Sequence, residues 1–159
     1  MALRESLTAE RLRELLDYDP QTGVFCVIST GRKAGFVRLS GYVGVNLLGA
    51  QFYAHRLAWL WVHGRWPDEC IDHINGERAD NRIANLRAVC KRVNDQNRRK
   101  ARRGSKTGVL GVNATASGTF VAQISIDGKS IGLGTFKTPQ EAHEIYIAAK
   151  RRLHEGNTL

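Results

Sequence analysis

The chain has 159 residues, 42% of them hydrophobic with three Trp and five Phe, enough for one ordinary domain or two small ones with real cores. Its net charge of +9 and pI near 9.9 make polyanions the natural partners, through counterion release and steering. No run approaches 18 apolar residues, and the opening MALRESLTAERLRELL is an amphipathic pattern rather than a signal peptide, so a membrane protein is excluded and a cytoplasmic one expected.

Cys26, Cys70 and Cys90 are an odd number without a CxxC pair, which speaks against a disulfide framework and a cysteine zinc site. They read as reduced, structural thiols. Thr8 caps a first helix in which Leu12, Leu15 and Leu16 recur at helical spacing. Asp19, Pro20 and Gly23 stop it, so it is predicted to end near Tyr18. From Val24 to Tyr53 the short runs VFCVI, GFVRL, GYVGVNLL and QFYA alternate with glycine turns, predicting a small antiparallel meander. HRLAWLWVH, residues 55–63, predicts a short core helix ended by Gly64 and Pro67.

Between Arg87 and Lys106 the chain turns strongly basic: KRVNDQNRRKARRGSK holds a single acid. Its second half loses apolar periodicity and reads as a linker, giving a division into 1–98, a linker 99–106 and a module 107–159. In that module VLGVNA, TFVAQISI and SIGLGTF are joined at Ser117-Gly118 and Asp127-Gly128, the latter a two-residue hairpin signal. A three-stranded antiparallel sheet is expected. Thr138, Pro139 and Glu141 then form a capping box with Pro at the first helical position. Ala142, Ile145, Tyr146, Ala149 and Leu153 make an apolar stripe, so one helix should pack across the sheet. The fold class expected is α+β, with no internal repeat.

The segment CIDHINGERADNRIANLRAVCKRVNDQN concentrates groups able to bind metal and move protons. Hydrolysing a phosphodiester needs a base to activate water, a divalent cation to neutralise charge, and oxygen ligands suited to a hard metal. Asp72, His73 and Asn94 are of the types required. Adjacent strand residues point to opposite faces, so Asp72 and His73 could serve one phosphate only where the strand ends or bends, and Ile74-Asn75-Gly76 supplies such a turn. On residue types alone, a turn cap beside a core histidine explains the pair as well, and loop hydrogen bonding explains Asn81 and Asn85.

Taken in order, AHRLAW, DHING, DNRIANL and VNDQN resemble the HNH endonuclease family, its homing-endonuclease branch in particular. The likeness runs over residues 17–99, with DYDPQTGVF upstream also similar. The resemblance implies a ββα-metal core with His73 ending the first strand, Asn85 in the loop and Asn94 on the following helix. It implies His73 as general base, Asp72 and Asn94 as metal ligands, Asn85 as the residue that holds the loop and orients the histidine, and products with 3′-hydroxyl and 5′-phosphate ends. It further implies a phage or mobile-element enzyme at work in a bacterial or phage-infected cell. The last motif position is Asn94 rather than His, which favours Mg²⁺, with Mn²⁺ second, over Zn²⁺. His55, Asn81 and Asn97 are accessory candidates. His55 reads first as structural, with phosphate or metal contact as the alternative.

Lys91, Arg92, Arg98, Arg99, Lys100, Arg102 and Arg103 form a run suited to tracking a phosphate backbone or lying in a minor groove. A solvated tether is the plainer alternative. The stretches GV, FVAQI, LGTF and TPQEAHEIY resemble the ethylene-response-factor (APETALA) DNA-binding domain, which implies that the sheet contacts DNA. By alternation Phe120, Ala122, Ile124 and Ile126 face the helix, leaving Asn113, Thr115, Gln123, Ser125 and nearby Lys129 toward DNA. That face lacks the arginines and tryptophans with which the family reads bases. The leading reading is a metal-dependent endonuclease acting on double-stranded DNA, as monomer or homodimer. A non-catalytic DNA-binding protein on the same scaffold is the alternative, and the lack of an aromatic RNP-like pattern argues against an RNA binder.

Overall fold

A computed structural model describes residues 7–159; the first six residues of the amphipathic N-terminal pattern lie outside the described residues. The chain divides into two compact units, residues 1–90 and 91–159. The class is α+β, built from short antiparallel sheets and a few helices.

In the first unit, Thr8 caps α1 (Ala9–Leu15) by accepting from the Arg11 amide at 3.2 Å. The helix stops at Leu15, earlier than its leucine spacing predicts, because Leu16–Asp19 is strand β1. Leu16 and Tyr18 are buried there while Asp17 and Asp19 are exposed, the two-residue alternation of a strand. β1 pairs with β2 (Val24–Val27), and β2 with β3 (Lys33–Ala34). A second sheet holds β4 (Phe36–Val37), β5 (Val43–Leu47) and β6 (Ala50–Tyr53). The expected meander is thus two separate three-stranded sheets.

Helix α2 (Ala54–His63) follows β6 directly and ends at Gly64, whose φ of 74° suits the left-handed cap position. Its buried Ala54, Leu57, Ala58 and Leu60 join Leu12, Leu16, Phe25, Val45 and Phe52 in one core. On that core sits the ribbon that carries the site: β7 (Cys70–His73) and β8 (Leu86–Val89), antiparallel, with a short 3₁₀ turn (Ile83–Asn85) before β8. Cys26 and Cys70 are half-buried, Cys90 is exposed, and all three are free thiols.

The second unit opens with α3 (Lys91–Gln96) and continues into the sheet β9 (Val112–Ala114), β10 (Phe120–Ile126) and β11 (Lys129–Phe136). The order is β11-β10-β9, antiparallel throughout, as the turn signals predict. Asp127 and Gly128 both have positive φ, 49° and 78°, the geometry that lets a two-residue turn follow strand twist. Helix α4 (Pro139–Leu153) starts with Pro139 and a full capping box between Thr138 and Glu141. Ala142 and Tyr146 of α4 bury Val112, Ala122 and Ile124, with Phe120 and Ile126 packed alongside. Among the described residues no helix is long and apolar enough to cross a membrane.

Candidate active site

The site grows from the end of β7. Register places Asp72 opposite Arg87 and His73 opposite Leu86. Asp72 is buried, and its Oδ2 accepts from Arg87 Nε at 3.0 Å and Nη2 at 2.8 Å. A carboxylate taken out of water needs such compensation, and the arginine directly across the ribbon supplies it. After His73 the chain turns at once: Gly76 N donates to His73 O at 2.8 Å, with Gly76 at φ 75°.

The loop from Ile74 to Asn85 is tied together by its own amides. Buried Asn85 accepts from the Asn75 amide through Oδ1 at 2.9 Å and donates through Nδ2 to Asp80 O at 2.9 Å. Asn75 in turn donates to Asp80 Oδ2 at 2.7 Å. Arg82, hydrogen-bonded to the same carboxylate, holds the Asp80 pKa down to about 2 despite partial burial. Asn81, 2% exposed, donates to Ala79 O at 3.0 Å and offers Oδ1 to His73 Nε2 at 3.4 Å. The β1–β2 turn braces this loop from below: Tyr18 Oη donates to Asn81 O at 2.7 Å, and a Cβ on Gly23 would lie 2.5 Å from the Arg82 nitrogen.

Because Asn81 spends its amide nitrogen on Ala79, its oxygen faces His73. The tautomer with hydrogen on Nε2 fits that contact. Burial pushes the His73 pKa down, while the Asn81 hydrogen bond and the charges of Asp72 and Asp80 pull it back up. The net shift is downward, which favours the neutral imidazole that a general base requires.

His55 lies against this histidine, their rings edge to face with centroids 5.1 Å apart. Tyr42 contacts both, at 5.2 Å from His55 and 5.9 Å from His73. Burial, with the neighbouring His73 and Arg56 acting in the same direction, pushes the His55 pKa down to about 3. Its Nδ1 is buried without a hydrogen-bond partner.

Five sequence-singled residues, His55, Asp72, His73, Asn81 and Asn85, are therefore gathered in the first unit. Asn94 and Asn97 belong to the other: Asn94 on α3, and Asn97 just beyond it, accepting from the Thr158 hydroxyl. Among the described residues no cluster of three or more His, Cys, Asp or Glu side chains is arranged to hold a metal. The first unit offers the carboxylates of Asp72 and Asp80, hard oxygen donors of the kind a divalent ion that keeps most of its waters takes, each held by an arginine.

The basic run divides by environment. Arg92 pairs with Glu155 at 3.0 Å and Asp127 at 3.6 Å, Arg98 with Asp95 at 3.5 Å, and Arg99 donates to Thr158. Lys91 is exposed at the start of α3. Lys100, Arg102 and Arg103 have no ion pair among the described residues, and Lys100 and Arg102 line a 570 Å³ pocket with Ser105 and His143. On the open sheet face, Asn113 donates to Gln123 at 3.0 Å and Gln123 to Ser130. Thr115 bonds Ser117 and Thr119, and Ser125 and Lys129 are exposed.

Arg87, Asp80, Tyr42 and Tyr18 escape sequence reading. Arg87 is recoverable from the strand register once β7 and β8 are paired, and Asp80 from its Asp-Asn dipeptide, a turn signal. The two tyrosines carry no local signal, since their roles come from contacts with residues distant in the chain.

The family model for HNH endonuclease matches residues 52–96. That span holds His55, Asp72, His73, Asn81, Asn85 and Asn94. No curated protein matches the chain. Among solved structures, one of DNA binding and cleavage by the HNH homing endonuclease I-HmuI is 22% identical, covering 81% of this chain and 75% of that chain, with a TM-score of 0.44.

Proposed function

We propose that the protein is a metal-dependent endonuclease that hydrolyses phosphodiester bonds of duplex DNA. The observation that carries the reading is His73: a buried, neutral imidazole at a strand end, anchored through Nε2 on Asn81 and flanked by the Asp72 carboxylate. The match of residues 52–96 to the HNH endonuclease model and the excess of cationic side chains support it.

In this reading His73 removes the proton from the attacking water. Asn81 holds the plane of the ring before substrate arrives. Asn85 holds the loop closed behind it. Asp72 and Asn94 would hold the divalent ion, Mg²⁺ before Mn²⁺, which supplies charge neutralisation at the phosphate under attack. Arg87 keeps Asp72 oriented. The basic run at 91–103 and the sheet of the second unit grip the phosphate backbone; an ethylene-response-factor-like role for that sheet belongs to this proposal. With Asn113, Gln123 and Ser130 bonded to one another, the sheet contributes affinity more than base selection. A homing-type enzyme of phage or mobile-element origin is the fitting class.

The engagement of Asp72 Oδ2 by Arg87 favours a second reading, a DNA-binding protein that keeps the scaffold without cutting. One experiment separates the two. Supercoiled plasmid is incubated with wild type and His73→Ala, with Mg²⁺, Mn²⁺ or chelator. Metal-dependent conversion to open-circular or linear DNA, lost in the variant, is expected. Cleavage by His73→Ala equal to wild type removes His73 as the base, and plasmid binding without cleavage under either metal favours the second reading.

A further inference from the structure

The hairpin between β4 and β5 bears apolar side chains that the fold does not use. Leu39 is 112% exposed, Val37 67% and Phe36 44%. The hairpin is nonetheless firmly built. Gly41 N donates to Arg38 O and Arg38 N to Tyr42 O, both at 2.8 Å, and Gly41 sits at φ 84°, closing a tight turn with a left-handed glycine. Leu39 is at its tip.

The tip is tied to the candidate active site. Arg78, in the loop after β7, donates to Ser40 O at 2.8 Å and lies over the Tyr42 ring at 4.9 Å. Tyr42 is the ring that touches His55 and His73. The stretch of chain that carries the hairpin is cationic: between Asp19 and Asp68 the sequence has no Asp or Glu, but it has Arg32, Lys33, Arg38, Arg56 and Arg65, and Arg78 reaches the tip from the loop after β7.

An apolar point flanked by Arg38 and Arg78, on an acid-free stretch of chain, fits a partner that is anionic outside and apolar within. Duplex DNA is such a partner, with phosphates along the groove edges and stacked bases between them. We propose that the Arg38–Gly41 turn enters the minor groove beside the scissile bond and that Leu39 wedges between two stacked base pairs. Its placement beside the cut rests on the nuclease reading; its insertion into DNA does not.

The test uses the full chain carrying His73→Ala, so that closed-circular DNA stays intact. A wedge unwinds the duplex, so protein bound during relaxation of plasmid by topoisomerase I should shift the linking number. Adding Leu39→Ala should abolish that shift and weaken plasmid binding about tenfold or more, the loss expected for one leucine side chain withdrawn from an apolar site. Leu39→Phe should keep the shift. Leu39 neutralises no phosphate, so its substitution should leave the salt dependence of binding unaltered, whereas Arg38→Ala should lower the log–log slope by about one. Leu39 is fully exposed, so folding is not at stake. An unchanged linking shift and affinity in Leu39→Ala would overturn the proposal. So would a loss of binding to phosphatidylserine vesicles with DNA binding intact, which would assign the tip to a membrane surface. Failure of wild type to cut, with a Leu39-dependent shift preserved, would remove the nuclease reading and leave the wedge standing.

Discussion

His55 makes the first unit acid-labile in a measurable way. In the folded chain its pKa is pushed down to about 3 by burial, whereas in the unfolded chain it returns to its ordinary 6.5. The unfolded state therefore binds a proton that the folded state refuses. The stability that His55 permits is fully present above pH 6.5 and is lost as pH falls from there toward 3. At pH 4.5 the unfolded form is favoured by two pH units of proton uptake, on the order of 3 kcal/mol. The groups facing the ring are Tyr42, Tyr53, His73 and Arg56, none of them acidic, so nothing nearby rescues the imidazolium. Trp59, Trp61 and Trp66 all lie in the first unit, so tryptophan fluorescence in urea reports that unit alone. Wild type should lose about 3 kcal/mol more than His55→Phe between pH 7 and pH 4.5. The variant should stay within about 1 kcal/mol of wild type at pH 7, because the buried Nδ1 has no partner to lose. Parallel pH profiles for the two proteins would refute a neutral, buried His55.

Two further substitutions probe the supports of each unit. Asn85→Ala strands the Asn75 amide and the Asp80 carbonyl in a part-buried loop; it should cost roughly 3 kcal/mol, read as a lower urea midpoint by tryptophan fluorescence, and should cut plasmid nicking along with it. Gly111→Ala places a Cβ 2.1 Å from the Tyr146 ring at a φ of 77°, so it should destabilise the sheet–helix unit by several kcal/mol, seen as faster amide exchange in β10 and α4; unaltered exchange would mean that Tyr146 can move aside.

What could be read from the sequence was what local chemistry decides. The Asp127-Gly128 turn, the Thr138 capping box and the inward face of β10 follow from residue types within a few positions of one another, and the structure has them all. The end of β7 was legible for the same reason, since Gly76 can take the positive φ that stops the strand. Leu16–Asp19 was not. Leu12, Leu15 and Leu16 satisfy helical spacing, and only pairing with Val24–Val27 turns Leu16 and Tyr18 inward as a strand. The Tyr42 ring between His55 and His73 was equally hidden, because β5, α2 and β7 meet only after folding.

The distribution of buried polarity separates side chains that the fold accounts for from one that it does not. The second unit buries Gln96, Asn97 and Lys150, and each is tied to a neighbouring stretch: Gln96 to the Gly156 amide, Asn97 to Thr158, Lys150 to the Arg98 carbonyl. Those contacts fasten α3 and α4 to the chain around them, and nothing more is needed to explain them. In the first unit Asn81 and Asn85 are also explained structurally, by the loop they close. His73 is bonded to Asn81, and among the described residues His55 alone of the buried polar side chains of this unit has a ring nitrogen with no partner. An aromatic hydrocarbon would fill the place of His55 without leaving a nitrogen unbonded, and a buried imidazole with depressed basicity adds acid lability where a phenyl ring adds none. That polarity lies on the first turn of α2, against the ring of the proposed base His73. His55→Phe, stable at pH 7, therefore tests whether the imidazole does anything that a hydrocarbon ring of similar shape cannot: lowered plasmid cleavage at unaltered stability gives His55 a part in the proposed reaction, and unaltered cleavage leaves it a packing residue against His73.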